Sequence, residues 1–300
     1  MERDLFIITV YCLVVQHYRA LIIARPLRRG GFAPQLSDEE VITMEICGEC
    51  WKLHTEEDLY DYFRAHYQHF FPKLKDRPAF VRQAFNLWAI KAQMQQRLVQ
   101  VSGQSADPAQ PIDTLPLPVC TYTRAPRDRC FPGVADYGHC DAKNLDYYGF
   151  KLGLRVSRGG MIVHYALLAA RPHDVNHTGV LLEGFHGGLA PADKGFIDEA
   201  RQQLYRERQG VDIVTAVRKN MTEKRPRPLL KACARWRKII ETVGSHLTER
   251  FAIARTRAHD LYHYQHRIIR KVLAHTVTVF LNLQLGREPL DLDGLVTAAS

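Results

Sequence analysis

The segment Pro191-Ala-Asp-Lys-Gly-Phe-Ile197 constrains the fold of this chain more than any other. A run of small residues arrives at an acid, Asp193, and Lys194 and Gly195 then lead straight into an amphipathic helix from about Asp198. Asp193 therefore stands where a strand stops. In an open α/β sheet the carboxyl ends of the strands border the crevice in which ligands bind. A matching acid, Asp113, lies in Pro111-Ile-Asp-Thr-Leu-Pro-Leu-Pro-Val119, and a third, Glu241, lies on a later basic helix. Three carboxylates delivered by three elements make a donor set for hard cations.

The surroundings of these acids are basic. Lys and Arg number 41 against 32 Asp and Glu, a net charge of +9 and a pI near 9.2. Such a surface favours polyanionic partners through counterion release, nucleic acid first among them. The apolar run Leu5 to Val15 is shorter than the roughly 20 residues a membrane span needs, and Glu2 and Asp4 do not fit a signal peptide. A buried first helix is expected there. Seven scattered cysteines do not form a disulfide framework and point to a reducing cytoplasm. Cys47 and Cys50 with His54 have half of a zinc spacing. The apolar periodicity through Val41, Met44, Cys47 and Trp51 makes buried helical cysteines the expectation.

Residues 1 to about 100 read as helical. Ser37 and Glu40 form a capping box ahead of Val41. Further helices are expected over Glu56 to His66 and Phe80 to Val99, with the aromatics of this region packed in a small bundle. The polar stretch Ser102 to Gln110 marks a boundary between a helical domain over 1–104, expected to be a DNA-end-binding module, and a basic mixed domain with C-terminal helices over 105–300, the domain that bears the three acids. Beyond it comes a strand at Ile112 to Val119, of which only the first part can pair in mid-sheet because of Pro116 and Pro118. A hairpin follows, with arms Gly149 to Ser157 and Met161 to Ala169, and then a helix from about Asn176 capped by Asp174. Next are the strand ending at Asp193, a helix through Gln209, a strand from Val211 to Val217, and a long helix from about Pro228. This order is that of a ribonuclease-H-like α/β core.

Periodicity separates two acids on the last helix. Leu229, Cys233, Trp236, Ile240, Val243, Leu247 and Phe251 form its apolar stripe. At ~100° per residue, Glu241 lies at the edge of that stripe and Glu249 lies opposite it. Arg237, Gly244 and Thr248 share the edge with Glu241, so Glu241 rather than Glu249 is taken as the third acid, with an ordinary surface ion pair to Arg237 as the other reading.

The segments L-S-D-E-E-V-I-T at 36–43, H-F-F-P-K-L at 69–74, F-V-R-Q at 80–83, L-P-V-C at 117–120, Y-Y-G-F-K at 147–151, A-D-K-G-F at 192–196 and I-E-T-V-G-S-H-L-T-E-R-F at 240–251 carry a resemblance. With them the chain resembles the DDE transposases of bacterial insertion sequences, most of all the insertion-sequence 982 family. The resemblance implies a ribonuclease-H-like core in which Asp113, Asp193 and Glu241 bind two Mg²⁺ or Mn²⁺ ions. It implies cleavage at the ends of the element and joining of the 3′-hydroxyl to target DNA by a homo-oligomer. Relatives tend to carry a lysine where Thr248 stands and a glycine or alanine where Thr114 stands.

Other residues fall into place around that chemistry. Lys194, Arg237 and Lys238 are candidate phosphate contacts beside the acids. Arg124, Arg127 and Arg129, and Lys219 with Lys224 and Arg225, are basic loop clusters suited to the DNA backbone. Tyr148 is a candidate for stacking on an unpaired base, with packing at the hairpin entrance as the other reading. Asp136, Asp141 and Asp146 read as turn formers, with Asp136 the substitute for Asp113. Two other readings share the fold: a DNA-binding protein without chemistry, and a nuclease that cuts without joining.

Overall fold

The computed structural model describes residues 1–24, 27, 28, 30, 33–127, 130–140, 144–216, 225–255 and 258–296. They form two compact units. One comprises 1–102, 247–253 and 262–300; the other comprises 103–246 and 254–261.

The first unit is helical: α1 (Arg3–Ala24), α2 (Asp38–Cys50), α3 (Glu56–His66), α4 (Arg77–Asn86), α5 (Trp88–Val101) and α9 (Leu261–Gln284). Ser37 and Glu40 close the expected capping box, the Ser37 hydroxyl accepting from the Glu40 amide and the Glu40 carboxylate from the Ser37 amide. The helix expected over Phe80 to Val99 is two, with the chain turning at a buried Leu87. α1 runs twice the length of its apolar stretch, at 22 residues. Among the described residues it is the one helix long and apolar enough to cross a membrane. It is not buried all round as expected, for Phe6, Val10 and Val14 are covered while Leu5, Ile8 and Ile23 are exposed. Cys47 and Cys50 are buried in α2, where burial pushes both thiols up.

α9 corrects the expectation that 105–300 form one unit, because from Tyr262 onward it groups with the helices of the N-terminal part. Its inner face carries charges whose partners are in that unit. Glu49 of α2 takes Arg270 Nε at 2.6 Å and Lys271 Nζ at 2.9 Å, all three side chains being buried. Glu45 takes Lys91 at 2.6 Å and His266 at 3.1 Å. Burial opposes ionisation of Glu49, but the charges of Arg270 and Lys271 overcome it and hold its pKa at about 2. Buried charges persist only when paired in this way.

In the second unit β1 (Ile112–Thr121), β2 (Asp136–Cys140), β3 (Leu145–Val156) and β4 (Ile162–Ala169) form an antiparallel sheet. β3 is its axis, with β1 along one edge and β2 and β4 sharing the other. β2 falls where the sequence reads as loop, and Asp136 and Asp146 are strand residues rather than turn formers; Asp146 faces His139 across the ladder at 2.7 Å. Asp141 lies outside the described residues. β1 pairs with β3 through both prolines, Pro116 opposite Lys151 and Pro118 opposite Gly149. This is tolerated because the far edge of β1 carries no ladder there, so the missing N–H groups cost no sheet bond.

β5 (Gly188–Ala192) and β6 (Val211–Thr215) run parallel as a separate pair, joined to the chain ahead of β1 by a single parallel bridge between Ala109 and Leu189. Spatially the strands therefore follow β3, β1, β5, β6. Between β4 and β5 the expected helix is a 3-10 turn (Asp174–His177) and a short α6 (Thr178–Leu181). α7 (Glu199–Gln209) is capped by Asp198 and stopped by Gly210 at φ +66°. α8 (Arg227–Ser245) packs over β1, β3 and β5 and passes into a π-turn, His246–Arg250. Ile112, Leu181, Phe185, Ala190, Phe196 and Ile213 form the core beneath.

Candidate catalytic site

Asp113 is the second residue of β1, Asp193 follows the last residue of β5, and Glu241 sits on α8. The bridge between Ala109 and Leu189 sets the level of the two strands. Four residues farther along each chain come Asp113 and Asp193, so both acids border the gap where β1 and β5 part. α8 closes that gap from one side. A Cβ on Gly244 would lie 3.1 Å from Leu115, two residues past Asp113 and on its face of the strand.

Arg237, one turn before Glu241, ties the arrangement together. Its Nη2 donates to Asp193 Oδ1 at 3.1 Å and to Glu241 Oε1 at 3.5 Å. Both carboxylates remain more than half exposed, at 56% and 57%. Asp193 opens a 3-10 turn, Lys194–Phe196, without spending its oxygens on a cap. The i,i+4 contact between Arg237 and Glu241, the other reading of that acid, is present, and the same guanidinium reaches Asp193 as well.

Asp113 differs from its neighbours. Burial pushes its carboxyl up to about 7, and the charges of Asp174 and Asp193 push the same way; the Thr114 amide and the Arg237 charge oppose them. A cluster that repels its own negative charge is relieved by a cation, and all-oxygen donors suit a hard one. As the side chains stand, among the described residues no three acids, histidines or cysteines are disposed to hold an ion together. The guanidinium of Arg237 takes the position between Asp193 and Glu241.

The basic candidates spread more widely. Lys194 is exposed on the turn after Asp193, and Lys238 is exposed beside Arg237. Arg124 and Arg127 are exposed on a 3-10 turn, Tyr122–Arg127, that follows β1. Arg129, Lys219 and Lys224 lie outside the described residues. Arg225 donates to the Thr215 carbonyl at the end of β6. Tyr148 packs edge-to-face on Tyr137, its partner across the ladder, at 5.3 Å, and Tyr137 meets Tyr122 at 4.6 Å. Asp136, the substitute for Asp113, begins β2 with Oδ1 accepting from the Tyr137 amide.

Asp174 is the residue that local sequence rules misplace. It caps no helix, for it lies inside the 3-10 turn as its first residue, where the cap position is His173, and α6 is preceded by His177. Its Oδ1 instead accepts from Thr114 and Lys151, beside Asp113. The available signal was Thr114 itself, a hydroxyl directly after an acid.

Residues 104–261 match the family described as Transposase DDE domain. No curated protein and no solved structure matches the chain. The matched segment spans more than half of the sequence, takes in all three acids and follows the mixed unit almost end to end, so the chain belongs to the transposase DDE domain family and is a transposase.

Proposed function

We propose that Asp113, Asp193 and Glu241 are the catalytic acids, that they hold two Mg²⁺ or Mn²⁺ ions, and that the protein cuts the ends of an insertion sequence and joins the freed 3′-hydroxyl to target DNA. The observation that supports this reading is the Arg237 guanidinium bonded to both Asp193 and Glu241, 48 positions apart, with Asp113, 80 positions before Asp193, within the influence of the charges of Asp193 and Arg237. The strand order, with β1 between an antiparallel and a parallel neighbour, supports a ribonuclease-H-like core. The sequence segments at 36–43, 192–196 and 240–251 support the insertion-sequence 982 type.

Divalent ions at such donors generate a nucleophile near neutral pH and neutralise the attacking and leaving oxygens of an in-line displacement. The protein's part is to bind, orient and exchange protons. Asp113, whose carboxyl burial pushes up to about 7, would hold a cation as the deprotonated carboxylate. Arg237, which bonds both Asp193 and Glu241 here, would be placed to turn its guanidinium to the phosphate, a bidentate acceptor, where cations hold those two acids. Lys194 and Lys238 flank that phosphate, and Arg124 and Arg127 hold the backbone farther along. The two exposed acids leave room for a duplex to approach.

The helical unit holds the DNA ends in this reading. Lys73, Lys75 and Arg82 are arrayed around a concavity of about 580 Å³ that also presents Gln35 and Asn86. Cations position a phosphate backbone and amides reach base edges. The assembled form is a homo-oligomer acting on DNA in the cytoplasm.

The test is incubation of the protein with Mn²⁺, a labelled duplex carrying the sequences that flank its gene, and an unlabelled target duplex. Nicks at the element's ends and labelled strand-transfer product are expected. Hydrolysis alone identifies a nuclease, and no nicking leaves a DNA-binding protein.

A further inference from the structure

Asp174 and Thr114 occupy positions that the three-acid reading leaves without a task. Thr114 follows Asp113, so its side chain leaves β1 on the opposite face. Its amide donates to Asp113 Oδ1 at 2.8 Å, while its hydroxyl donates to Asp174 Oδ1, also at 2.8 Å. Asp174 Oδ1 takes a further bond from Lys151 Nζ at 2.8 Å, and the same ammonium donates to the Pro172 carbonyl at 2.9 Å. Lys151 is on β3, opposite Pro116 of β1, and is buried, with 8% of its surface exposed. Asp174 Oδ2 faces the turn after Asp193, where a Cβ on Gly195 would sit 3.4 Å away. Asp174 thus lies between the strand that bears Asp113 and the turn that follows Asp193.

β1 needs such a tie here. Past the bridge at Ala109 its edge toward β5 has no ladder, so backbone bonds hold this segment from the β3 side alone. Side chains that ligate or react must be fixed to within about 0.5 Å.

We infer that Asp174 is a positioning residue, which, anchored by Lys151, grips the Thr114 hydroxyl and through that residue's backbone fixes the carboxylate of Asp113. The inference rests on Asp113 being catalytic. Thr114 then has a reason to be present where a glycine or alanine would give no grip. Serine keeps the hydroxyl and serves; valine keeps the shape and does not.

Thr114→Val and Thr114→Ser are compared with wild type and Asp113→Asn by three readouts: amide hydrogen exchange of residue 114 without metal, Mn²⁺ affinity, and cleavage of labelled duplex at saturating Mn²⁺. Thr114→Val is expected to lose exchange protection, bind Mn²⁺ several-fold more weakly and cleave on the order of 10–100-fold more slowly, with unchanged DNA affinity. Thr114→Ser stays within about twofold of wild type. Asp174→Ala combined with Lys151→Met, which avoids an unpaired buried ammonium, reproduces Thr114→Val. Wild-type exchange and Mn²⁺ affinity in Thr114→Val would overturn the inference. Cleavage by Asp113→Asn at the wild-type rate would instead remove the catalytic reading, while the exchange readout still decides the grip on Thr114.

Discussion

Arg237 of α8 donates to Asp193 at the end of β5 across 3.1 Å, a bond that joins two elements 44 positions apart. The same nitrogen reaches Glu241, so one guanidinium neutralises two carboxylates that a divalent cation would also seek. Arg237→Gln is therefore expected to bind Mn²⁺ several-fold more tightly in the absence of DNA, measured by titration calorimetry, and to cleave DNA more slowly. Its thermal stability should change by less than about 1 kcal/mol, because both acids are largely exposed.

Asp113 gives a pH signature. Its carboxyl rises from 3.8 to about 7 on folding, through burial and through Asp174 and Asp193. A raised folded pKa means that the folded state holds a proton the unfolded chain has lost. That contribution is complete below about pH 4 and disappears as pH rises through about 7. Asp113→Asn should match wild type in urea unfolding near pH ~4 and exceed it by roughly 2–4 kcal/mol at about pH 8 without metal.

The helical unit has the opposite dependence. Glu49 is held at about 2, below the usual 4.5, so its contribution is complete above pH 4.5 and lost as pH falls through about 2. Glu49→Ala leaves Arg270 and Lys271 buried without their shared partner. A loss of roughly 3–5 kcal/mol is expected in denaturant unfolding followed by helical circular dichroism.

The concavity of the helical unit makes a salt-dependent prediction. Lys73→Gln, Lys75→Gln and Arg82→Gln together should weaken duplex binding and flatten the plot of log affinity against log salt by about 2–3, at roughly 0.9 for each phosphate that is no longer neutralised. Fluorescence anisotropy over a salt series measures both. Glu241→Gln should leave that slope unchanged.

Local rules made much of this legible in the sequence. The junction at Pro191–Ile197 ends a strand at Asp193, and the 3.6-residue period of α8 brings Glu241 and Arg237 to one edge of its buried face. What escaped depends on partners remote in sequence. α9 belongs to the helical unit, where Arg270 meets Glu49, 221 positions away, a pairing no local pattern encodes. β2 is hidden among Gly, Tyr and Asp residues that favour turns, and only its register against β3 makes it a strand. Asp174 has a strong local preference for capping, yet its oxygen is taken by Thr114, 60 positions away.

Mn²⁺ binding to the purified full-length protein, followed by calorimetry in wild type, Asp113→Asn, Asp193→Asn and Glu241→Gln, tests most directly whether three acids share one cation site. Two ions bound by wild type, with binding weakened in each variant, is the predicted result. Equal Mn²⁺ binding by all four proteins would contradict it.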